Sequence, residues 1–344
     1  MLDVLMPRPQ ERLSALLHHA LGGSDARLAE VSEDLRGRRL LFALSADEYG
    51  MNAETLALLR FLRENPACLE GCVGSVIVDG KGELYTKQLA QEVVLAANAA
   101  GCAFPGKPLV EGTGSLYNQH ILAARRGQGL QATYFDRARE LAERLAHFVP
   151  PHFPQPKLLV LHASEYGRSS TLWLWSALKE RLQDRFRIRE IALQNGTIHD
   201  CRGCSYSACL HFAQNDACFY GGAISDTVFP AIRDCDAMLF LCPNYNDAVG
   251  ANITALFNRL TGLLLRSSLH DKYLFGLIVS GYSGSDLVAR QLLGTMCLNK
   301  TAMLPPRFCM MQTANDLEAA RRIDDIGGQL DRFAERICFI RESD

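Results

Sequence analysis

Hydroxyl side chains are crowded where the apolar strand at residues 158–162 gives way to a helix. The loop and the first helical turn carry four of them: Ser164, Ser169, Ser170 and Thr171. The first N–H groups of a helix have no partner within it, and the helix dipole favours an anion there. The segment lacks the glycine spacing of nucleoside triphosphate loops and of dinucleotide folds. The pattern therefore favours a single terminal phosphate, and the alternative is an ordinary N-cap with surplus hydroxyls.

Two more polar loops follow apolar strands, at residues 237–242 and 273–280. The first contains Pro243, Asn244, Tyr245 and Asn246, and the second begins with Ser280, Gly281 and Tyr282. A tyrosine can lie flat against a planar ring, amides can bond the ring edge, and glycine allows close approach. Loops that follow strands of one parallel sheet meet at the same edge. A phosphate at one end and a flat heterocycle at the other describe a mononucleotide, of which FMN fits best.

Four cysteines are clustered between the second and third strands of the rear half. They are spaced Cys201-x2-Cys204-x4-Cys209-x8-Cys218. Four thiolates can hold an iron–sulfur cluster or a zinc ion. The spacing leaves three alternatives open, namely a [4Fe–4S] cluster, zinc, or reduced or redox-active thiols without a metal.

No side chain is assigned as a catalytic acid or base. His162 ends a buried strand, and its position is typical of a satisfied core histidine rather than of a catalyst.

The elements that must position these loops alternate along the rear half. Apolar runs predict strands at 158–162, 188–193, 237–242, 273–280 and 307–312. Amphipathic patterns predict helices at 169–183, 226–233, 249–266, 285–298 and 315–336. Apolar strands separated by helices indicate a parallel sheet covered on both faces, which is the doubly wound, flavodoxin-like arrangement.

The front half repeats the strand–loop–helix pattern in three places. Residues 40–62 resemble 158–178, with a Ser, a Glu-Tyr-Gly and a Thr in the same order. Residues 75–101 and 109–123 similarly resemble 237–262 and 277–293. The fold class predicted is α/β, with two tandem flavodoxin-like doubly wound parallel-sheet domains derived from an internal duplication. The first domain is expected to be truncated, without a counterpart of the second strand and the cysteine region.

Domain bounds follow from these patterns. Four prolines between His147 and Lys157 interrupt both helix and sheet. The predicted domains are an N-terminal helical segment (1–35), a degenerate flavodoxin-like domain (36–148), a proline-rich linker (149–156) and an FMN-binding domain (157–340). The front domain is predicted to be structural rather than a second flavin site.

Residues 157–312 resemble the NAD(P)H-dependent FMN reductases and iron–sulfur flavoproteins of the flavodoxin-like superfamily. The family's first loop reads Gly-Ser-Pro-Arg-x-x-Ser-x-Thr, matched here by residues 163–171 with Arg168 and Ser169. Its second loop has Pro-x-Tyr, matched by Pro243 and Tyr245, with Arg259 ending the next helix. The resemblance implies that the first loop holds the phosphate, that residues 243–246 line the ring and that Gly281 closes its other edge.

The resemblance also implies an oxidoreductase that passes electrons from NAD(P)H through FMN to a small acceptor such as a flavin or quinone. The alternatives are an electron-carrier flavoprotein with an iron–sulfur centre and a cofactor-free scaffold. The family implies a homodimer, or a pseudo-dimer within one chain.

Composition excludes other classes. The 344 residues carry a net charge of −2, which disfavours non-specific binding of nucleic acid. No apolar run approaches the length of a membrane span, and the N-terminus lacks the pattern of an export signal. We therefore expect a cytoplasmic protein.

Overall fold

The computed structural model describes residues 1–165, 167, 169–215 and 217–342. The chain divides into two compact units, and the division between Pro150 and Pro151 falls within the proline-rich segment. None of the described helices is long and apolar enough to cross a membrane.

Unit 1 is a parallel sheet with helices packed on it. Its strands are β1 (Leu2–Leu5), β2 (Ala26–Leu28), β3 (Arg39–Ala46), β4 (Val73–Gly80) and β5 (Leu109–Gly112). Its helices are α1 (Glu11–Leu21), α2 (Ala53–Glu64), α3 (Thr86–Ala99), α4 (His120–Arg126) and α5 (Leu130–His147), with a 3₁₀ turn at Tyr117–Gln119. The strand order is β2-β1-β3-β4-β5.

Unit 2 has the same order of strands. They are β6 (Lys157–His162), β7 (Arg187–Ala192), β8 (Ala237–Pro243), β9 (Tyr273–Ser280) and β10 (Cys309–Thr313), arranged β10-β9-β8-β6-β7. The helices before β9 are α6 (Ser170–Leu182), α7 (Tyr206–Ala213), α8 (Phe229–Asp234), α9 (Ala251–Arg259) and α10 (Thr261–Leu264). Those after it are α11 (Ser285–Leu292), α12 (Leu317–Arg321) and α13 (Ile326–Cys338), and π-helical segments occupy Ile224–Val228 and Leu293–Asn299.

Burial explains why the central strands could be read from the sequence. Almost every residue of β3, β4, β6, β8 and β9 is buried, because helices cover both faces of each sheet.

Local caps fix where helices begin. The Asn52 side chain accepts from Thr55 N at 2.9 Å at the start of α2, and Ser169 caps α6. The prediction of two tandem doubly wound parallel sheets is confirmed.

The predicted pairing between the two halves is wrong by one strand. β3, which was paired with β6, is the third strand of unit 1 along the chain, and its counterpart in sheet order is β8. The first strand of unit 1 is β1, which lies within the segment predicted to be only helical. Duplication itself stays a prediction.

The shorter unit 1 keeps a second strand, contrary to expectation. β2 pairs with β1 in parallel at the sheet edge. The length difference lies mainly in the next connection, since residues 29–38 join β2 to β3, whereas residues 193–236 join β7 to β8. As predicted, the cysteine region has no counterpart in unit 1.

Candidate flavin-binding site

The three predicted loops of unit 2 converge on one cleft of about 570 Å³. They meet because β6, β8 and β9 are adjacent parallel strands whose carboxyl ends share an edge of the sheet. Eight of the predicted cofactor-binding residues line this cleft: Ser164, Ser169, Ser170, Thr171, Pro243, Asn244, Tyr245 and Gly281. Arg168 lies outside the described residues.

The first loop presents hydroxyl groups at the start of α6. Ser169 Oγ accepts a hydrogen bond from Leu172 N at 3.2 Å. This side chain therefore caps the helix, as the N-cap alternative predicts. Ser164 Oγ is different, because it is buried and has no hydrogen-bond partner among the described residues. A buried hydroxyl without a partner costs free energy, so Ser164 Oγ is available for a hydrogen bond to a ligand in the cleft.

The second loop is a tight turn that carries Tyr245 on its rim. Tyr245 and Ala248 exchange backbone hydrogen bonds of 3.4 and 3.2 Å. Between them, Asn246 and Asp247 have φ angles of +53° and +58°. Two consecutive positive φ angles match a type I′ turn, and they are unusual for residues other than glycine. The turn leaves the ring of Tyr245 61% exposed beside the cleft.

Asn244 ties the second loop to the third. Its Nδ2 lies 3.1 Å from Ser280 Oγ, 2.9 Å from the carbonyl of Ser283 and 3.2 Å from Asp247 Oδ1. Its Oδ1 is buried and, within the described part of the chain, accepts no hydrogen bond. The amide therefore holds the loop with its donor and leaves an acceptor for a ligand.

Three predicted residues do not line the cleft. Ser280 is buried and bonds Ser285 Oγ at 2.7 Å, so it supports the loop from below. Asn246 stands at the tip of the turn, and Tyr282 is 83% exposed. Asp247 Oδ1 accepts a hydrogen bond from Asn244 Nδ2 at 3.2 Å.

The sequence did not point to several residues at this site. Asn195 and Asn315 line the cleft because they follow β7 and β10, whose ends lie at the same sheet edge. The sheet order could have identified both of them. Gln291 is harder to find, since it lies on α11. Its Nε2 donates to the carbonyl of Asp247 at 2.9 Å, and its Oε1 accepts from Val249 N at 2.9 Å.

The four clustered cysteines surround a second, small cavity of about 60 Å³. It is lined by Cys201, Cys204, Cys209 and Cys218, together with residues that include Phe212 and Phe219. Burial and the neighbouring thiols raise the pKa of Cys209. The described residues contain no group of three or more His, Cys, Asp or Glu placed to hold a metal ion. The predicted iron–sulfur or zinc centre therefore finds no support here.

Unit 1 has an arginine at the corresponding edge of its sheet. Arg12 is the second residue of α1, as Thr171 is the second residue of α6. Its Nε lies 2.8 Å from Asp79 Oδ1, and its other nitrogens donate to the carbonyls of Gly80 and Gly114 at 2.8 and 3.0 Å. The side chain thus bridges the carboxyl ends of β4 and β5. Burial raises the pKa of Asp79, and Arg12 opposes that shift.

Comparison with known protein families finds a match over most of unit 2. Residues 156–316 match the family of NADPH-dependent FMN reductases. The match confirms the resemblance drawn from the three loops and the prediction of an NAD(P)H-dependent, FMN reductase-like oxidoreductase. It covers the described strands and loops of the cleft, and residues 1–150 lie outside it.

Solved structures of flavoproteins are also similar to this chain. RosB with a bound 8-demethyl-8-formylriboflavin-5′-phosphate intermediate has a TM-score of 0.44 and 12% identity, covering 54% of this chain and 78% of that one. An azoreductase from Bacillus anthracis str. Sterne has a TM-score of 0.41 and 11% identity, covering 54% and 100%. An NAD(P)H:quinone oxidoreductase from Methanothermobacter marburgensis has a TM-score of 0.39 and 13% identity, covering 55% and 98%. Comparison with curated proteins found no match.

Proposed function

We propose that unit 2 binds FMN in this cleft and uses it to move electrons from NAD(P)H to a small planar acceptor, such as a flavin or a quinone. The observation that carries the proposal is a pair of buried polar atoms in the cleft that have no hydrogen-bond partner in the described part of the chain. Ser164 Oγ stands on the hydroxyl loop and Asn244 Oδ1 on the aromatic loop. A ligand in the cleft would supply a hydrogen bond to each of them.

The residues of the cleft fit the two ends of FMN. Ser164, Ser169 and Thr171, at the start of α6, would hold the phosphate. Tyr245 and Asn244 would lie beside the ring, with Gly281 at its other edge. Bound FMN supplies the hydride and electron chemistry, whereas the protein supplies placement, stacking and hydrogen bonds.

Two exposed aromatic rings suggest the class of acceptor. Tyr245 is 61% exposed at the cleft, and Tyr282, on the neighbouring loop, is 83% exposed. Exposed aromatic faces favour flat, conjugated molecules that can stack. We infer that the acceptor is planar and approaches from this side.

Reconstitution of the purified full chain tests the proposal. The protein is expected to bind FMN with a visible flavin spectrum and quenched flavin fluorescence, and to oxidise NADPH or NADH when a quinone is added. A protein that stays colourless with excess FMN would overturn it. Iron analysis of anaerobically purified protein separates the reductase from the electron-carrier alternative, since we expect no stoichiometric iron.

For unit 1 we propose a structural role without flavin. Arg12 and its four hydrogen bonds support this, because they fill the edge of the sheet that holds the cleft in unit 2. An FMN stoichiometry of one per chain is the expected result. The homodimer and the pseudo-dimer remain predictions, and light scattering of the purified protein would distinguish them.

A further inference from the structure

A buried histidine joins the hydroxyl loop to the edge of the sheet. His162 is the last residue of β6 and is only 2% exposed. Its Nδ1 lies 3.0 Å from the carbonyl oxygen of Ser164, and its Nε2 lies 3.2 Å from Glu190 Oε1 on β7. The ring is thus in contact with the backbone of a residue that lines the cleft.

Glu190 is held as a carboxylate by several donors. Its Oε2 accepts from Trp175 Nε1 at 3.0 Å and from Lys179 Nζ at 3.2 Å, both on α6. Hydrogen bonds to the charged form and a nearby cation both favour ionisation of a carboxyl group. Glu190 therefore has no proton to give to the ring of His162.

The partners of His162 determine its protonation. A backbone carbonyl and a carboxylate are both acceptors, so each ring nitrogen must carry a hydrogen to bond its partner. A neutral ring has one N–H and would leave one of these contacts without a donor in a buried place. Two acceptors around one imidazole therefore indicate the imidazolium form.

We propose that His162 is a positioning residue for the phosphate of FMN, acting as a buried imidazolium that Glu190 stabilises. Its contact with the carbonyl of Ser164 fixes the conformation of the hydroxyl loop. Its positive charge lies next to the backbone of that loop. Charged groups near it include Glu190, Lys179 and, on the loop itself, the exposed Glu165. The inference rests on the proposed binding of FMN at this cleft.

Nitrogen NMR of the full chain tests the protonation without any flavin. With uniformly ¹⁵N-labelled protein at neutral pH, both ring nitrogens of His162 are expected to be protonated. The signal is assigned by its loss in His162→Asn. In Glu190→Gln one ring nitrogen should lose its proton. A wild-type ring with only one protonated nitrogen would overturn the inference, whatever the flavin binding shows.

Flavin binding tests the role in positioning. The substitution His162→Asn keeps a donor near the carbonyl of Ser164 but removes the charge and the contact with Glu190. We expect it to weaken FMN binding about tenfold and to change riboflavin binding by less than about twofold, because riboflavin has no phosphate. Glu190→Gln should act in the same direction.

The outcomes separate the two proposals. Equal losses for FMN and riboflavin, or no loss for either, would overturn the positioning role of His162. Failure of the wild-type protein to bind FMN would overturn the proposed function instead, and the NMR result would still decide the state of the ring. If His162→Asn does not fold, as judged by circular dichroism, the signal of His162 is assigned by its change in Glu190→Gln, and the flavin binding of that variant decides the positioning role.

Discussion

The amide of Asn244 donates to the hydroxyl of Ser280 across 3.1 Å, which joins the ends of β8 and β9. Two loops from neighbouring strands therefore behave as one wall of the cleft. The same Asn244 keeps its Oδ1 buried and unpartnered among the described residues. A residue that both builds the wall and leaves an acceptor for a ligand is a sensitive point for testing the site.

Replacing this amide should weaken FMN binding. Asn244→Ala removes both the tie to Ser280 and the free acceptor, so we expect about tenfold weaker binding and a loss of stability of about 1–3 kcal/mol. Titration of flavin fluorescence and thermal unfolding measure the two effects. The matched control is Asn246→Gly, since glycine tolerates the φ of +53° and Asn246 does not line the cleft. A control that weakens FMN as much as Asn244→Ala would contradict the assignment.

The hydroxyl of Ser164 should matter to the ligand and not to the apo fold. It is buried and makes no hydrogen bond among the described residues, so Ser164→Ala removes an unsatisfied group. We expect an unchanged or slightly higher unfolding temperature without FMN, and FMN binding weakened roughly fivefold or more. Calorimetry with and without FMN gives both values.

A second serine provides the control for this test. Ser176 Oγ donates to the carbonyl of Leu172 at 3.0 Å, within α6 and outside the cleft lining. Ser176→Ala should leave FMN affinity unchanged. If Ser164→Ala lowers stability and leaves FMN affinity unchanged, the hydroxyl stabilises the fold, and its assignment as an FMN-binding group is wrong.

Gly284 is required by the way the second and third loops pack. Its φ is +85°, and a Cβ there would overlap Asp247 Oδ1 and lie 2.9 Å from Asn244 Nδ2. Gly284→Ala should therefore displace the turn, cost about 1–3 kcal/mol of stability and weaken FMN binding about tenfold. Gly327→Ala is the control, because its Cβ would meet nothing within 4 Å. Equal behaviour of the two variants in unfolding and titration experiments would refute the argument.

The sequence predicts the cleft of unit 2 well because each loop is local. A run of apolar residues ends, polar residues follow, and parallel strands bring these ends to one edge. Asn195 and Asn315 were missed only because the loops after β7 and β10 carry no motif. Gln291 could not be predicted, since its two hydrogen bonds depend on how α11 packs against the turn at 245–248.

Unit 1 shows where sequence reasoning fails. β1 is only four residues long and includes Asp3, a charged residue that the sequence would place at the surface. In the structure Asp3 is 1% exposed and forms ion pairs with Arg27 and Arg38. Residues 40–62 match 158–178 in sequence pattern but not in their place in the sheet. Both segments turn from a buried strand into a capped helix, so both select Ser, Gly and Thr whatever their place in the sheet.

The ion pair of Arg12 and Asp79 should stabilise unit 1 without affecting the flavin. Asp79 is 3% exposed at its side chain and Arg12 is 28% exposed, so Arg12→Met leaves a buried carboxylate without its cation. We expect the free energy of unfolding to fall by about 2 kcal/mol, less than the roughly 3–5 kcal/mol for a fully buried pair, and FMN affinity to stay unchanged. Arg60→Met is the control, since its pair with Glu64 is exposed and screened by solvent and should contribute little to stability. Urea unfolding measures the free energy of unfolding of both variants. If Arg12→Met loses no more stability than Arg60→Met, the ion pair does not stabilise unit 1.

Buried thiols should make the protein sensitive to alkali. Burial raises the pKa of Cys235 and of Cys242 to about 12, whereas an unfolded thiol ionises near pH 8.5. Between these values the folded chain binds more protons than the unfolded chain. The free energy of unfolding therefore falls as pH rises in this window, by up to about 1.4 kcal/mol per pH unit for each thiol.

Urea unfolding at several pH values above 8.5 measures this slope for two variants. Cys242→Val preserves an apolar side chain of similar size and should reduce the slope by about the share of one thiol. Ser176→Ala, which removes no thiol, should leave the slope unchanged. A slope that Cys242→Val does not change would show that this thiol ionises alike in both states, so its burial would not control the alkaline transition.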